Sequence, residues 1–159
     1  MKKAVFASIL FVTILSVFVI MGCEKKSTGP EIIEIRENMF ISQINSINLN
    51  SKDYLGKTIK LEGFIKRNHW NDKDYYFVIR NAPGCCGDDG EIGFEVSWNP
   101  DYMGSGNPMD ERSGFPAVND WVEAKGELKS YRFMGTLNLF LVLSEIKVLE
   151  NRGVDFVTR

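Results

Sequence analysis

Histidine is almost missing from this sequence; His69 is the only one. A single imidazole excludes a His-Glu-x-x-His zinc-protease helix. The chain also has no Gly-x-Ser-x-Gly elbow and no phosphate-binding glycine loop, so the motifs of common hydrolases and nucleotide enzymes are absent. Nor is there an excess of basic charge. Lys and Arg number 19 against 21 acidic residues, which leaves no electrostatic footprint for nucleic acid. Internal repeats and low-complexity tracts are likewise missing. After residue 22 no apolar run approaches the ~18–20 residues that a membrane-crossing helix needs. These absences favour a binding module over an enzyme.

The N-terminus has what the rest lacks. Met1, Lys2 and Lys3 make a short basic start, and AVFASILFVTILSVFVIM from Ala4 to Met21 carries no charge. Gly22 and Cys23 follow, and the chain turns polar at once with EKKSTGP. Basic start, apolar run and small residue at the end describe a secretory leader, with an uncleaved membrane helix as the rival reading. The closing VIMGC resembles the lipobox of bacterial lipoproteins. That resemblance implies cleavage after Gly22 and diacylation of Cys23, with Ile20 in place of the more frequent leucine. Residues 1–22 are then a signal peptide and 23–31 a lipidated tether ending in Gly29-Pro30. The domain is expected on the extracytoplasmic face of the cell envelope, in the outer membrane of a Gram-negative cell because Glu24 is not the aspartate of inner-membrane retention. Loss of Lys2 and Lys3 with the leader moves the formal charge from −2 to about −4.

From residue 32 to about 150 the pattern is that of one mainly β (α+β) domain. EIIEI at 31–35 reads as a short strand. Phe40, Ile44 and Ile47 fall on one helical face within 38–47, with Asn38 as the expected N-cap. A turn is expected over 51–57. Thr58–Lys66 alternates Ile59, Leu61, Gly63 and Ile65 against Lys60, Glu62, Phe64 and Lys66, a half-buried strand. Asn71-Asp72-Lys73-Asp74 is a turn cluster. Further strands are expected over 75–80, 91–98, 120–131 and 137–149, the last apolar on both faces early and therefore central. Five strands in this order, with a long connection over 99–119, fit a small OB-like Greek-key barrel with an N-terminal helix. Residues 151–159 read as a tail. The connection, rich in glycine and proline, is either a functional loop or a plain insertion.

Chemistry concentrates at Pro83-Gly84-Cys85-Cys86-Gly87-Asp88-Asp89-Gly90-Glu91. Thiolates suit soft ions such as zinc or cuprous copper, and the flanking glycines permit a backbone that brings adjacent side chains together. A regular strand would send them to opposite faces. Three readings stand. The pair binds a metal or metalloid; it forms a vicinal disulfide that works as a redox switch; or it merely shapes a turn. The second would be strained, because a trans peptide holds the two Cα atoms about 3.8 Å apart, below the usual ~4.4–6.8 Å.

The stretch from Tyr54 to about Val148 resembles the C-terminal soluble domain of an uncharacterised bacterial permease-associated family. The matching residues are Tyr54, Gly56, Lys57, Gly63-Phe64-Ile65, Phe77-Val78-Ile79-Arg80, Cys85-Cys86 with Asp89, Gly93, Trp121-Val122-Glu123 and Gly126. The resemblance implies that Cys85, Cys86 and Asp89 are the functional residues and that a permease is the partner. Asp88 departs from the family pattern, and here a lipid anchor stands where the family has membrane helices.

His69, next to Trp70, is a further candidate metal ligand, since imidazole and thiolate combine on zinc; the alternative is a solvated turn residue. Trp70, Tyr75, Tyr76, Trp98 and Tyr102 are candidates for a stacking face, with Trp98 and Tyr102 as its ligand-binding residues; the alternative is core packing. Met103, Met109 and Met134 are scattered and read as packing residues. The expectation is thus a membrane-tethered module that binds zinc or copper for a permease or other envelope protein. The rival expectation is an interaction domain for a protein or glycan, without metal.

Overall fold

The computed structural model describes residues 31–84, 89–104 and 115–158. The leader, Cys23 and the tether to residue 30 lie outside the described residues, as do Cys85, Cys86, Asp88 and Met109. Among the described residues no helix is long and apolar enough to cross a membrane.

The chain enters as β1 (Ile32–Glu34), passes through a 3-10 turn (Glu37–Met39) and forms helix α1 (Phe40–Leu49) and a single turn α2 (Ser51–Tyr54). Five long strands follow: β2 (Thr58–Trp70), β3 (Lys73–Pro83), β4 (Asp89–Ser97), β5 (Trp121–Phe133) and β6 (Thr136–Val148). They neighbour one another in the order β1-β2-β3-β4-β6-β5, and β2 pairs again with β5. That second pairing closes a five-stranded barrel. Its parallel β4–β6 contact and antiparallel neighbours are the Greek-key connectivity expected of an OB-like barrel.

The strands outrun their sequence limits because the turns between them are minimal. Asn71 and Asp72 have φ of 53° and 60°, and Met134 and Gly135 have 49° and 83°. Two consecutive left-handed residues make a type I′ turn, whose twist suits a two-residue hairpin. Pairing therefore runs to Trp70↔Lys73 and Phe133↔Thr136, the last residue on each side. The final strand is central at Phe140–Val142, where it pairs with both β4 and β5. Its first residues are not covered; Leu137 is exposed.

Alternation along the strands sends Ile59, Leu61, Ile65, Val78, Phe94, Val96, Val122, Leu128 and Leu141 into the barrel. Helix α1 adds Phe40, Ile44 and Ile47, all buried at the spacing the sequence indicated. Each such side chain contributes roughly 1.5–3 kcal/mol. Asn38 is not the N-cap of α1. It lies in the 3-10 turn, and Met39 stands at the cap position without a side-chain hydrogen bond. Gln43 instead reaches back: its Oε1 accepts from the Arg36 N–H at 2.8 Å and its Nε2 donates to the Glu34 carbonyl at 3.1 Å.

Residues 151–158, expected as a tail, belong to the packed domain. Val157 is buried in the core, and its N–H donates to the Asn81 carbonyl, while the Asn81 N–H donates to Asp155 O, both at 2.8 Å. The segment thus runs as a short parallel bridge beside β3. Just before that bridge it meets Arg80, whose Nη1 donates to the Val154 carbonyl at 3.2 Å.

Gly63 and Gly93 press β2 and β4 onto β3 from either side. A Cβ on Gly93 would stand 2.1 Å from the Val78 carbonyl oxygen, and one on Gly63 would stand 2.5 Å from that of Ile79. Both obstacles are backbone, so no rotamer change relieves them. Gly93→Ala should therefore lower stability by about 1–3 kcal/mol or more, read as a shift of the urea midpoint. Gly90→Ala, whose Cβ would meet nothing closer than 3.4 Å, should leave the midpoint nearly unchanged.

Candidate functional site

The β3–β4 ladder closes at Pro83↔Asp89. Pro83 and Asp89 bracket the Cys85-Cys86 pair in sequence, and the pair itself lies outside the described residues. Asp89 is exposed at the first position of β4. Beside this end of the hairpin, Asn45 and Asn48 of α1 face Pro83, Gly84, Gly90 and Glu91 across a polar concavity of about 470 Å³. Glu91 is ion-paired with Lys66.

His69 is not part of this constellation. It pairs with Asp74 at the opposite end of β3, and its Nδ1 lies 2.8 Å from Asp74 Oδ1. From Asp74 to Pro83 the strand path is about 30 Å at the usual rise per residue. The expected four-residue metal set thus loses His69, because the hairpin that carries it points the other way. Among the described residues no three His, Cys, Asp or Glu side chains gather to hold a metal ion.

The expected stacking pair is corrected as well. Trp98 is half-buried and packs against the main core. Tyr102 is only 1% exposed. A tight turn reverses the chain after β4: the Ser97 hydroxyl and the Asn99 side chain accept from the Asn99 and Asp101 N–H groups at 3.0 and 2.9 Å. Tyr102 is thereby folded onto the outer surface of the sheet, between Tyr131 and Phe140, with ring centroids 5.8 and 5.3 Å away. Beneath it lies Glu95, itself buried. The Tyr131 hydroxyl donates to Glu95 Oε2 at 2.7 Å, and the Tyr102 hydroxyl makes a short bond to Oε1. Burial pushes the Glu95 carboxyl above its ordinary range, and the two tyrosyl donors oppose this only in part. Both tyrosines are pushed up in turn, first by burial and then by the carboxylate.

Part of the expected aromatic face does assemble, elsewhere. Trp70 and Phe133, at the tips of the β2–β3 and β5–β6 hairpins, meet edge to face at 5.3 Å and 89°. With Tyr75, Phe77, Tyr131 and Asn68 they line a cleft of about 210 Å³ that opens beside Gly104. The Tyr75 hydroxyl donates to the Gly104 carbonyl at 3.3 Å. Tyr76, the neighbour of Tyr75, points into the core. Strand alternation forbids both from sharing one face. That rule, applied to Tyr75-Tyr76 and extended to Tyr131 and Phe133, is the signal that separates cleft from core.

The fold defines a class: a small OB-type barrel, here with two candidate places, a hairpin end and an aromatic cleft. The chain matches the DUF1980 C-terminal domain over residues 20–151 and belongs to that family. Among curated proteins none matches. A solved structure with some likeness is the dimeric N-terminal domain of PriB protein from Thermoanaerobacter tencongensis. It is 17% identical, with 59% of this chain and 97% of that chain covered and a TM-score of 0.32. The barrel assignment rests on the strand order above and not on that likeness.

Glu95→Ala would leave two buried tyrosyl hydroxyls without their acceptor and should cost about 2–4 kcal/mol. The folded state also holds the Glu95 proton more tightly than the unfolded chain does. Its contribution is therefore full below the ordinary carboxylate range and is lost as pH rises through the raised value. Denaturation from about pH 4 to pH 8 should show wild type losing stability relative to Glu95→Gln. A constant difference between the two would contradict this.

Proposed function

We propose that this chain is an extracytoplasmic binding module, held to the membrane by a lipid on Cys23, that captures a soft metal ion for a transport partner. The ligands are the thiolates of Cys85 and Cys86 with the carboxylate of Asp89, and the ion is zinc or cuprous copper. The observation that carries this reading is the Pro83↔Asp89 closure, because it brings together the two residues that bracket the Cys85-Cys86 pair in sequence, Asp89 supplying a carboxylate next to it. Soft thiolates supply the affinity, and a single hard carboxylate leaves the complex open enough to exchange. The adjacent Asn45 and Asn48 amides give the hairpin end a polar neighbour on α1. With three protein ligands the ion keeps a further position for water or for a partner's ligand, as hand-over requires. No group in this reading performs bond chemistry, so the chain is a carrier and not an enzyme. The permease partner follows the family resemblance carried by Cys85, Cys86 and Asp89, and an extracytoplasmic anchor would hold the module beside such a partner.

The full chain, purified anaerobically in detergent, should retain about one equivalent of zinc or copper by elemental mass spectrometry. Cys85→Ser with Cys86→Ser should abolish retention without altering the circular dichroism spectrum, and His69→Ala should leave it unchanged. Wild-type protein free of metal after exposure to zinc and cuprous ion would sink the proposal.

A further inference from the structure

The aromatic cleft is a second place, separated from the dithiol hairpin by the length of β3. Its floor and wall are rings at right angles, Trp70 against Phe133. Both are unusually open for such residues, at 49% and 37% exposure. The cavity, about 210 Å³, is smaller than the ~300–1,000 Å³ that takes a drug-sized molecule. It admits one ring of a longer chain. The polar atoms at its edge are the exposed Asn68 amide, the Tyr75 hydroxyl and the Gly104 carbonyl. A guest that suits an aromatic floor and a polar rim has an apolar C–H face and equatorial hydroxyls, as a pyranose has.

Charge narrows the guest further. Lys73 stands opposite Trp70 in the ladder, and Lys129 lies two residues before Tyr131 on the same strand face. Neither lysine makes an ion pair among the described residues. Of the acids nearby, Asp74 is engaged by His69 and Glu95 by two tyrosines, whereas Asp72 at the turn, Asp101 and Glu127 make no ion pair among the described residues. Two such lysines suit scattered carboxylates. They fall short of the continuous basic groove that tracks a phosphate backbone.

We infer that this cleft binds an acidic oligosaccharide, with one sugar ring stacked on Trp70 and the carboxylates of the chain facing Lys73 and Lys129. The site is independent of the dithiol hairpin and does not require a metal ion. The full chain in detergent would be titrated with hexagalacturonate, neutral chitohexaose and decathymidylate, with tryptophan fluorescence and calorimetry as readouts. Hexagalacturonate should bind, and Trp70→Ala should weaken it roughly tenfold or more. Lys73→Gln should also weaken binding and reduce its salt dependence. Both side chains are exposed, and circular dichroism checks that the variants fold. The Cys85→Ser, Cys86→Ser protein should bind as wild type, which separates this inference from the metal reading. Absence of hexagalacturonate binding, equal binding of chitohexaose, tighter binding of decathymidylate, or an unaffected Trp70→Ala variant would each overturn it.

Discussion

A buried cation needs partners on every side, and Arg80 draws them from five segments of the chain. Its side chain is 2% exposed. Nε donates to the Glu62 carbonyl on β2 at 2.8 Å, and Nη1 donates to Glu37 Oε2 at 3.1 Å and to the Val154 carbonyl at 3.2 Å. The guanidinium lies 4.8 Å from the rings of both Phe40 and Trp121. Removing one partner of a buried charge is costly, of order 3–5 kcal/mol, so the segments that meet here are bound to one another through it. Glu37 responds: the hydrogen bond from Arg80, then that from the Val154 N–H, hold its carboxyl below the usual range. The entry turn, α1, the barrel wall and the C-terminal segment are thus fastened at one point, and α1 is fixed where it lies against the β3–β4 hairpin end.

Both candidate sites lie at hairpin ends of that fixed frame. Close approach at Gly63 and Gly93 keeps β3 tightly flanked, and β3 is the strand that separates the two candidate sites. At one end of it lie Gly84 and Asp89, flanking the thiol pair; at the other lie Trp70 and Lys73 beside the aromatic cleft. Between them the Tyr102–Glu95–Tyr131 arrangement holds the root of the long connection against the outer sheet face. A neutral apolar core would have closed the barrel as well. The buried carboxylate instead ties a loop to a strand by directional bonds, which fixes Gly104 at the mouth of the cleft.

Much of the barrel was legible in the sequence. The helical face of Phe40, Ile44 and Ile47, the alternation through 58–66 and the order of five strands all follow from periodicity, which burial enforces. Strand ends were less legible. The length of β2 is set by the left-handed residues Asn71 and Asp72, which look like an ordinary loop in composition. Asn38 looks like a cap, yet the side chain that ties down the entry is Gln43. The C-terminal segment reads as a tail because, apart from the single buried Val157, it is held by backbone bonds to Asn81 and by Arg80, none of which leaves a periodic pattern. Tyr102 has the composition of a surface aromatic and becomes interior only because Glu95, on a different element, needs a donor. The dithiol motif remained the clearest chemical signal, and the separation of His69 from it required the register of β2 and β3.

The separation of the two candidate sites by the length of β3 is tested most directly by a zinc titration of the nitrogen-15-labelled full chain, followed by amide and indole resonances. Shifts are expected only at the β3–β4 hairpin end, residues 82–93, and at Asn45 and Asn48 beside it, with the Trp70 indole and the His69 amide unmoved. Shifts at His69 and Trp70 with none at Asp89 or Gly90 would contradict it.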